Sequence, residues 1–180
     1  LGWELYVPVE LAVDVYELLV AEGGKYNLAP AGYYSINSLR LEKGYRAFGT
    51  DLTPDHTPLD AGLTFACKLK TDLDFVGRKA LEEAIASGPR RKMVSIVLDD
   101  PGVMMWGGEL VLRDGEAVGQ VTSAAWGETL GACVGLAYIW RRDGAPVTSD
   151  YLDGGRYDVN VGGVVSAATV HRRAPYDPDG

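Results

Sequence analysis

From residue 93 to residue 170 the chain is a succession of short apolar runs punctuated by glycine turns: 93–98, 109–112, 117–123, 132–140, 147–151, 157–161 and 164–170. Runs of this length, rich in β-branched and aromatic residues, read as strands. Asp114-Gly115, Asp143-Gly144 and Gly154-Gly155 stand between them and supply the positive φ angles that tight hairpins need. The C-terminal half is therefore predicted to be a small antiparallel barrel or sandwich.

Upstream the spacing changes. Residues 3–7 alternate like a strand, and Pro8 then opens a helical pattern with Val9, Ala12, Val13, Tyr16, Leu19 and Val20 at three- and four-residue intervals, closed by Gly23-Gly24. A second helix is predicted over 33–45, with Tyr33, Ile36, Leu39 and Arg40 near one face, stopping near Gly44. Residues 50–60 carry Pro54 and Pro58 among polar residues and read as a long irregular loop, of a kind that often serves function. Residues 63–69 look strand-like, 76–86 helical, and Gly88-Pro89 closes that helix. The fold class is thus α+β, with a boundary near Gly88 separating residues 1–88 from a β domain over 89–180. The opening residues, Leu1 to Val7, read as a strand already under way, as expected of a piece of a longer protein.

Charge narrows the partners. A net charge of −8 opposes binding to nucleic acid, and the basic groups Arg90-Arg91-Lys92 and Arg172-Arg173 read first as solvated strand ends. No apolar run approaches the ~18 residues of a membrane span, and no membrane partner is expected. Cys67 and Cys133 sit singly in apolar surroundings, as reduced cysteines of a reducing compartment do, so a cytoplasmic location, or the mitochondrial matrix in a eukaryote, is expected. The phosphate-binding, dinucleotide and zinc-hydrolase motifs are absent. His56 and His171, the only histidines, lack partners at metal-ligand spacing, so no metal site is expected and His56 reads as a loop brace.

The chemistry-bearing residues gather early. Trp3-Glu4, Tyr33-Tyr34 and Arg40-Leu41-Glu42 combine carboxylates with aromatic faces. One carboxylate accepting two parallel hydrogen bonds, with rings to stack on, is how the N–H and NH2 edge of a pterin is read. The same residues also fit a bland reading, with Glu4 an outward strand residue and the tyrosines in a core. A structural salt bridge is the expected role of Arg40 and Glu42.

The run GYYSINSLRLEKGYRAFGTDLTPDHTPLDAGL, from Gly32 to Leu63, resembles the signature of the glycine-cleavage T-protein (aminomethyltransferase) superfamily in its sarcosine and dimethylglycine dehydrogenase branch. The likeness continues through CKLKTDLDFVGRKAL, GEAVGQVTSAAWG, GLAYI and the final APYDP, and upstream through GWELYVP, covering nearly the whole chain. It implies the C-terminal part of a folate-binding domain followed by the family's C-terminal barrel. It also implies a tetrahydrofolate site at which a one-carbon unit, held as an iminium or aminomethyl group, is captured to give methylenetetrahydrofolate. Glu4 matches the family's pterin carboxylate. Trp3, Tyr33, Tyr34 and Trp126, the last placed to face the folate cleft, complete the expected binding residues.

Two departures qualify the likeness. Ile36 stands where glycine-cleavage enzymes carry an arginine, which favours the dehydrogenase branch. The family's catalytic aspartate and pterin-flanking tyrosine would precede Leu1, so no catalytic residue is expected in this chain and the fragment alone is expected to be inactive. FAD is expected only in an upstream flavin domain of the parent, which with folate makes up the expected partners. Other readings are a non-catalytic module capping a flavoprotein, a true T-protein aminomethyltransferase, and a demethylase.

Overall fold

The structure is a computed structural model and describes residues 2–178. It divides into two compact units, Leu1–Tyr33 and Tyr34–Gly180. Gly88 caps the C-terminus of a helix within the second unit.

The first unit is built on helix α1 (Ala12–Gly23), entered through a 3-10 turn, Val9–Leu11, that follows Pro8. After α1, Asn27 in the left-handed conformation turns the chain back and lays Leu28 against Gly23. A Cβ at Gly23 would stand 2.4 Å from Leu28 Cδ2, so the reversal requires glycine there. Residues 3–7 form no strand, contrary to the alternation. A strand needs a partner, and this unit supplies none among the described residues. No residue of α1 is buried, although Val13, Tyr16, Leu18, Leu19 and Val20 all lie on it.

The second unit opens with α2 (Tyr33–Glu42), whose first residue belongs to the unit before, and continues through α3 (Arg78–Ser87) into six strands. These are β1 (Arg91–Leu98), β2 (Leu110–Arg113), β3 (Glu116–Gly127), β4 (Ala132–Trp140), β5 (Tyr157–Val161) and β6 (Val164–His171). They close an antiparallel barrel in the order β1-β4-β3-β2-β5-β6, with β6 returning to β1. The interior is filled by alternate residues, Val94, Ile96 and Leu98 of β1, Ala137 and Ile139 of β4, and Val111, Val121 and Val159 from the others. Strands β1 and β4 are buried on their outer face too: Met93, Val134, Leu136 and Tyr138 pack there around Leu41 of α2. Burial on both faces explains why these two strands read as nearly continuous apolar runs.

Three other expectations are corrected. The run 63–69 is an irregular segment around a 3-10 turn, Thr64–Ala66. The run 147–151 is not a strand but leads into a short helix, α4 (Ser149–Asp153), because Thr148 Oγ1 accepts the Tyr151 N–H at 3.2 Å and so caps a first turn. Gly154 is the cap that ends this helix, with φ −94°, while the β5–β6 hairpin turns at Gly162-Gly163 with φ of 59° and 92°.

Candidate functional site

In the first unit the Glu4 carboxylate lies on the exposed segment before Pro8. Tyr6 donates its hydroxyl to Glu4 Oε2 at 2.7 Å, and that bond raises the Tyr6 phenol above its ordinary range. Among the described residues no donor meets Oε1. Trp3, 85% exposed, is one residue away, and Tyr33, at the start of α2, is 83% exposed. The core position that the bland reading assigned to the tyrosines is therefore not where they stand.

In the second unit α2 presents one row of residues at four-residue spacing: Tyr34, Ser38 and Glu42. Ser38 Oγ donates to the Trp126 carbonyl at 2.5 Å. Glu42, 1% exposed, accepts the N–H groups of Thr129 and Leu130 at 2.7 and 3.0 Å through Oε1. The helix is thus fastened along the β3–β4 turn, and Tyr34, 87% exposed, heads the row whose second member holds Trp126. Trp126 is half-buried, and its indole donates to Glu128 Oε2 at 3.0 Å. Glu42 therefore serves backbone donors, not the salt bridge expected of it.

Arg40 takes the ionic role, with a partner that sequence reasoning missed. Its Nη1 meets Asp51 Oδ2 at 2.7 Å, and Asp51 is fully buried. The same Asp51 carboxylate accepts the Ala47 N–H at 2.9 Å, the Ser123 hydroxyl at 2.6 Å and the Thr122 hydroxyl at 2.5 Å, while its main-chain carbonyl accepts the Tyr138 hydroxyl at 3.1 Å. This knot ties the loop after α2 to β3 and β4. Its one trace in the sequence is the pair of hydroxyl residues Thr122-Ser123 inside a strand that is otherwise apolar at its centre.

His56 braces the proline-containing loop. Its Nδ1 accepts the Thr53 N–H at 3.1 Å, which fixes Nε2 as the protonated nitrogen of the neutral ring. The ring stacks on Tyr138 at 4.2 Å, and burial pushes the Tyr138 phenol up to about 12. Burial, reinforced by the Arg91 charge and opposed by Asp60 and Asp55, holds the imidazole below its ordinary value, and burial lowers His171 as well. A group with a depressed basic pKa binds its proton more weakly when folded, so its stabilising neutrality is complete above the unfolded value near 6.5 and is lost as pH falls through that value. Thermal melting is expected to drop between pH 7 and 5, and His56→Asn, which keeps an acceptor for Thr53, should shrink that drop. An identical pH profile in the variant would clear His56 of the effect.

Among the described residues no group of three or more His, Cys, Asp or Glu is placed to hold a metal ion, and no helix is long and apolar enough to cross a membrane.

The closed six-stranded antiparallel barrel, with α2 packed on its outer face, matches an aminomethyltransferase fold. The glycine cleavage system aminomethyltransferase T from Bartonella henselae shares it, with a TM-score of 0.74 and 28% identity over 94% of this chain and 44% of that one. Residues 1–71 match the GCVT N-terminal domain model and residues 91–177 match the glycine cleavage T-protein C-terminal barrel domain model. The chain belongs to the glycine-cleavage T-protein family.

It is 44% identical to the mitochondrial sarcosine dehydrogenase of Mus musculus over 99% of its own length. It is 34% identical to the mitochondrial pyruvate dehydrogenase phosphatase regulatory subunit of the same species over 90%. It spans about a fifth of the length of these relatives, 19% and 20% respectively.

Proposed function

We propose that this chain is the folate-binding C-terminal portion of an enzyme that oxidises an N-methyl amino acid and transfers the released one-carbon unit to tetrahydrofolate, forming methylenetetrahydrofolate. The observation that carries the reading is Glu4, a carboxylate with one open oxygen next to an uncovered tryptophan, in a chain whose 44% identity to a sarcosine dehydrogenase runs from end to end. Tetrahydrofolate, when bound, supplies the nucleophilic nitrogen that accepts the carbon. The role of this chain's own residues is recognition: Glu4 takes the pterin edge, and Trp3 and Tyr33 of the same unit offer faces for the ring system. FAD and the oxidation belong to an upstream domain of the parent, consistent with the small share of the relative that this chain covers. The compartment that goes with this reading is the cytoplasm, or the mitochondrial matrix in a eukaryote; the mouse relative is named as mitochondrial.

The test uses the full-length protein turning over sarcosine labelled in its methyl group. With tetrahydrofolate present the label should be recovered as methylenetetrahydrofolate, and without it as formaldehyde from hydrolysis of the iminium. Label appearing only as formaldehyde at saturating tetrahydrofolate would overturn the reading. A second reading, a non-catalytic capping module, is favoured by the similarity to a chain named as a regulatory subunit, and the Ile36 departure leaves room for it. It predicts that the full-length protein does not bind tetrahydrofolate.

A further inference from the structure

The inward rows of two neighbouring strands do not stay apolar to the end. Along β1, Val94, Ile96 and Leu98 fill the barrel, and Lys92 continues the same alternation at the strand's start. Along β6, Ala168 and Val170 face the same core, and Arg172 is next in that alternation, just past His171. The two strands are paired antiparallel with Ser95 opposite His171, so Lys92 and Arg172 come to the same end of the barrel. There they line one cavity of about 480 Å³. Its other walls include Val147 and Leu152, both buried members of the barrel's inner cluster.

A cation at the end of an apolar row is costly unless something compensates it. Burial holds Lys92 below the usual lysine range, with the Asp60 charge opposing and the Arg46 charge adding to the effect. Its ammonium has no carboxylate at ion-pair distance among the described residues, and Nζ donates to the Leu59 carbonyl at 3.1 Å. Arg172 gives Nε to Asp153 at 2.8 Å and Nη1 to the Ser149 hydroxyl at 3.0 Å, which leaves Nη2 for another acceptor. Apolar walls with a few convergent polar groups, in a space of this size at a barrel mouth, are the makings of a small-molecule site.

We propose that this end of the barrel binds a small organic anion with an apolar body, such as a medium-chain carboxylate. The head group sits between Lys92 and Arg172, and the chain lies against Val147 and Leu152. None of the residues assigned to folate takes part, so the two proposals stand or fall separately.

The probe is octanoate, titrated calorimetrically into the full-length protein, with octanol supplying the body without the charge and acetate the charge without the body. Octanoate should bind at least tenfold more tightly than either. Lys92→Met should weaken octanoate at least tenfold, Lys92→Arg should retain most of the affinity, and tetrahydrofolate binding should be unchanged in both. Pro146→Trp crowds the mouth of the cavity without removing a charge, and should also weaken octanoate, which keeps the test decisive if Lys92→Met does not fold. Octanol binding as tightly as octanoate would overturn the proposal. So would an unchanged octanoate affinity in Lys92→Met or Pro146→Trp protein that melts normally.

Discussion

Asp51→Ala is expected to destabilise the barrel unit by about 3–5 kcal/mol, because it removes one partner of a buried ion pair and leaves the other charge uncompensated. Arg40 lies 2.7 Å from that carboxylate with its side chain only 12% exposed, and the Thr122 and Ser123 hydroxyls and the Ala47 N–H lose their acceptor at the same stroke. For a unit of this size the loss corresponds to a melting temperature lower by roughly 10 °C. The sharper measurement is a double-mutant cycle with Arg40→Met, read by denaturant unfolding. Removing both charges should cost clearly less than the sum of the two single changes. Additive costs, or a loss below about 1 kcal/mol for Asp51→Ala, would show that Asp51 does not hold the loop to the barrel.

Glu4→Gln is expected to reduce tetrahydrofolate affinity in the full-length protein by roughly ten- to hundredfold, corresponding to about 1.5–3 kcal/mol for a charged hydrogen-bond partner. The amide keeps the shape but turns one acceptor into a donor facing a donor. Thermal stability should hardly move, because Glu4 is exposed and its bond to Tyr6 is a surface contact. Calorimetric titration of tetrahydrofolate beside thermal melting separates the two effects. An unchanged dissociation constant in a normally melting protein would remove Glu4 from the site and favour the capping-module reading.

The barrel was the most legible part of the chain, for a physical reason. Interior positions alternate, β1 and β4 are apolar on both faces, and Asp114-Gly115 adopts φ of 53° and 87° as a hairpin requires. What failed was decided elsewhere in the molecule or by a single cap. Val147, Thr148 and Tyr151 have strand-like side chains, yet one hydroxyl from Thr148 starts a helix. Residues 3–7 alternate as a strand does but, among the described residues, have no neighbour to pair with in their unit.

The site divides in the same way. Glu4, Trp3, Tyr33 and Tyr34 stood out by residue type and by resemblance to a family, and all four are exposed, whereas Trp126 is half-buried. Asp51 did not stand out, since an aspartate in a polar loop is ordinarily solvated. Its burial comes from partners 71 and 72 positions away. Lys92 was read as a solvated strand end, whereas the alternation of β1 carries it into the barrel's mouth.

The doubly covered strands also bear on how such a piece can be inherited. Met93, Val134, Leu136 and Tyr138 form an outer surface that is dry only because Leu41 and its surroundings lie on it. A gene fusion whose joint fell between Asp51 and β1 would deliver a barrel with that surface bare, prone to self-association, and would separate Asp51 from Thr122 and Ser123. For that surface to stay covered, α2 and the Asp51 loop have to travel with the barrel as one heritable block.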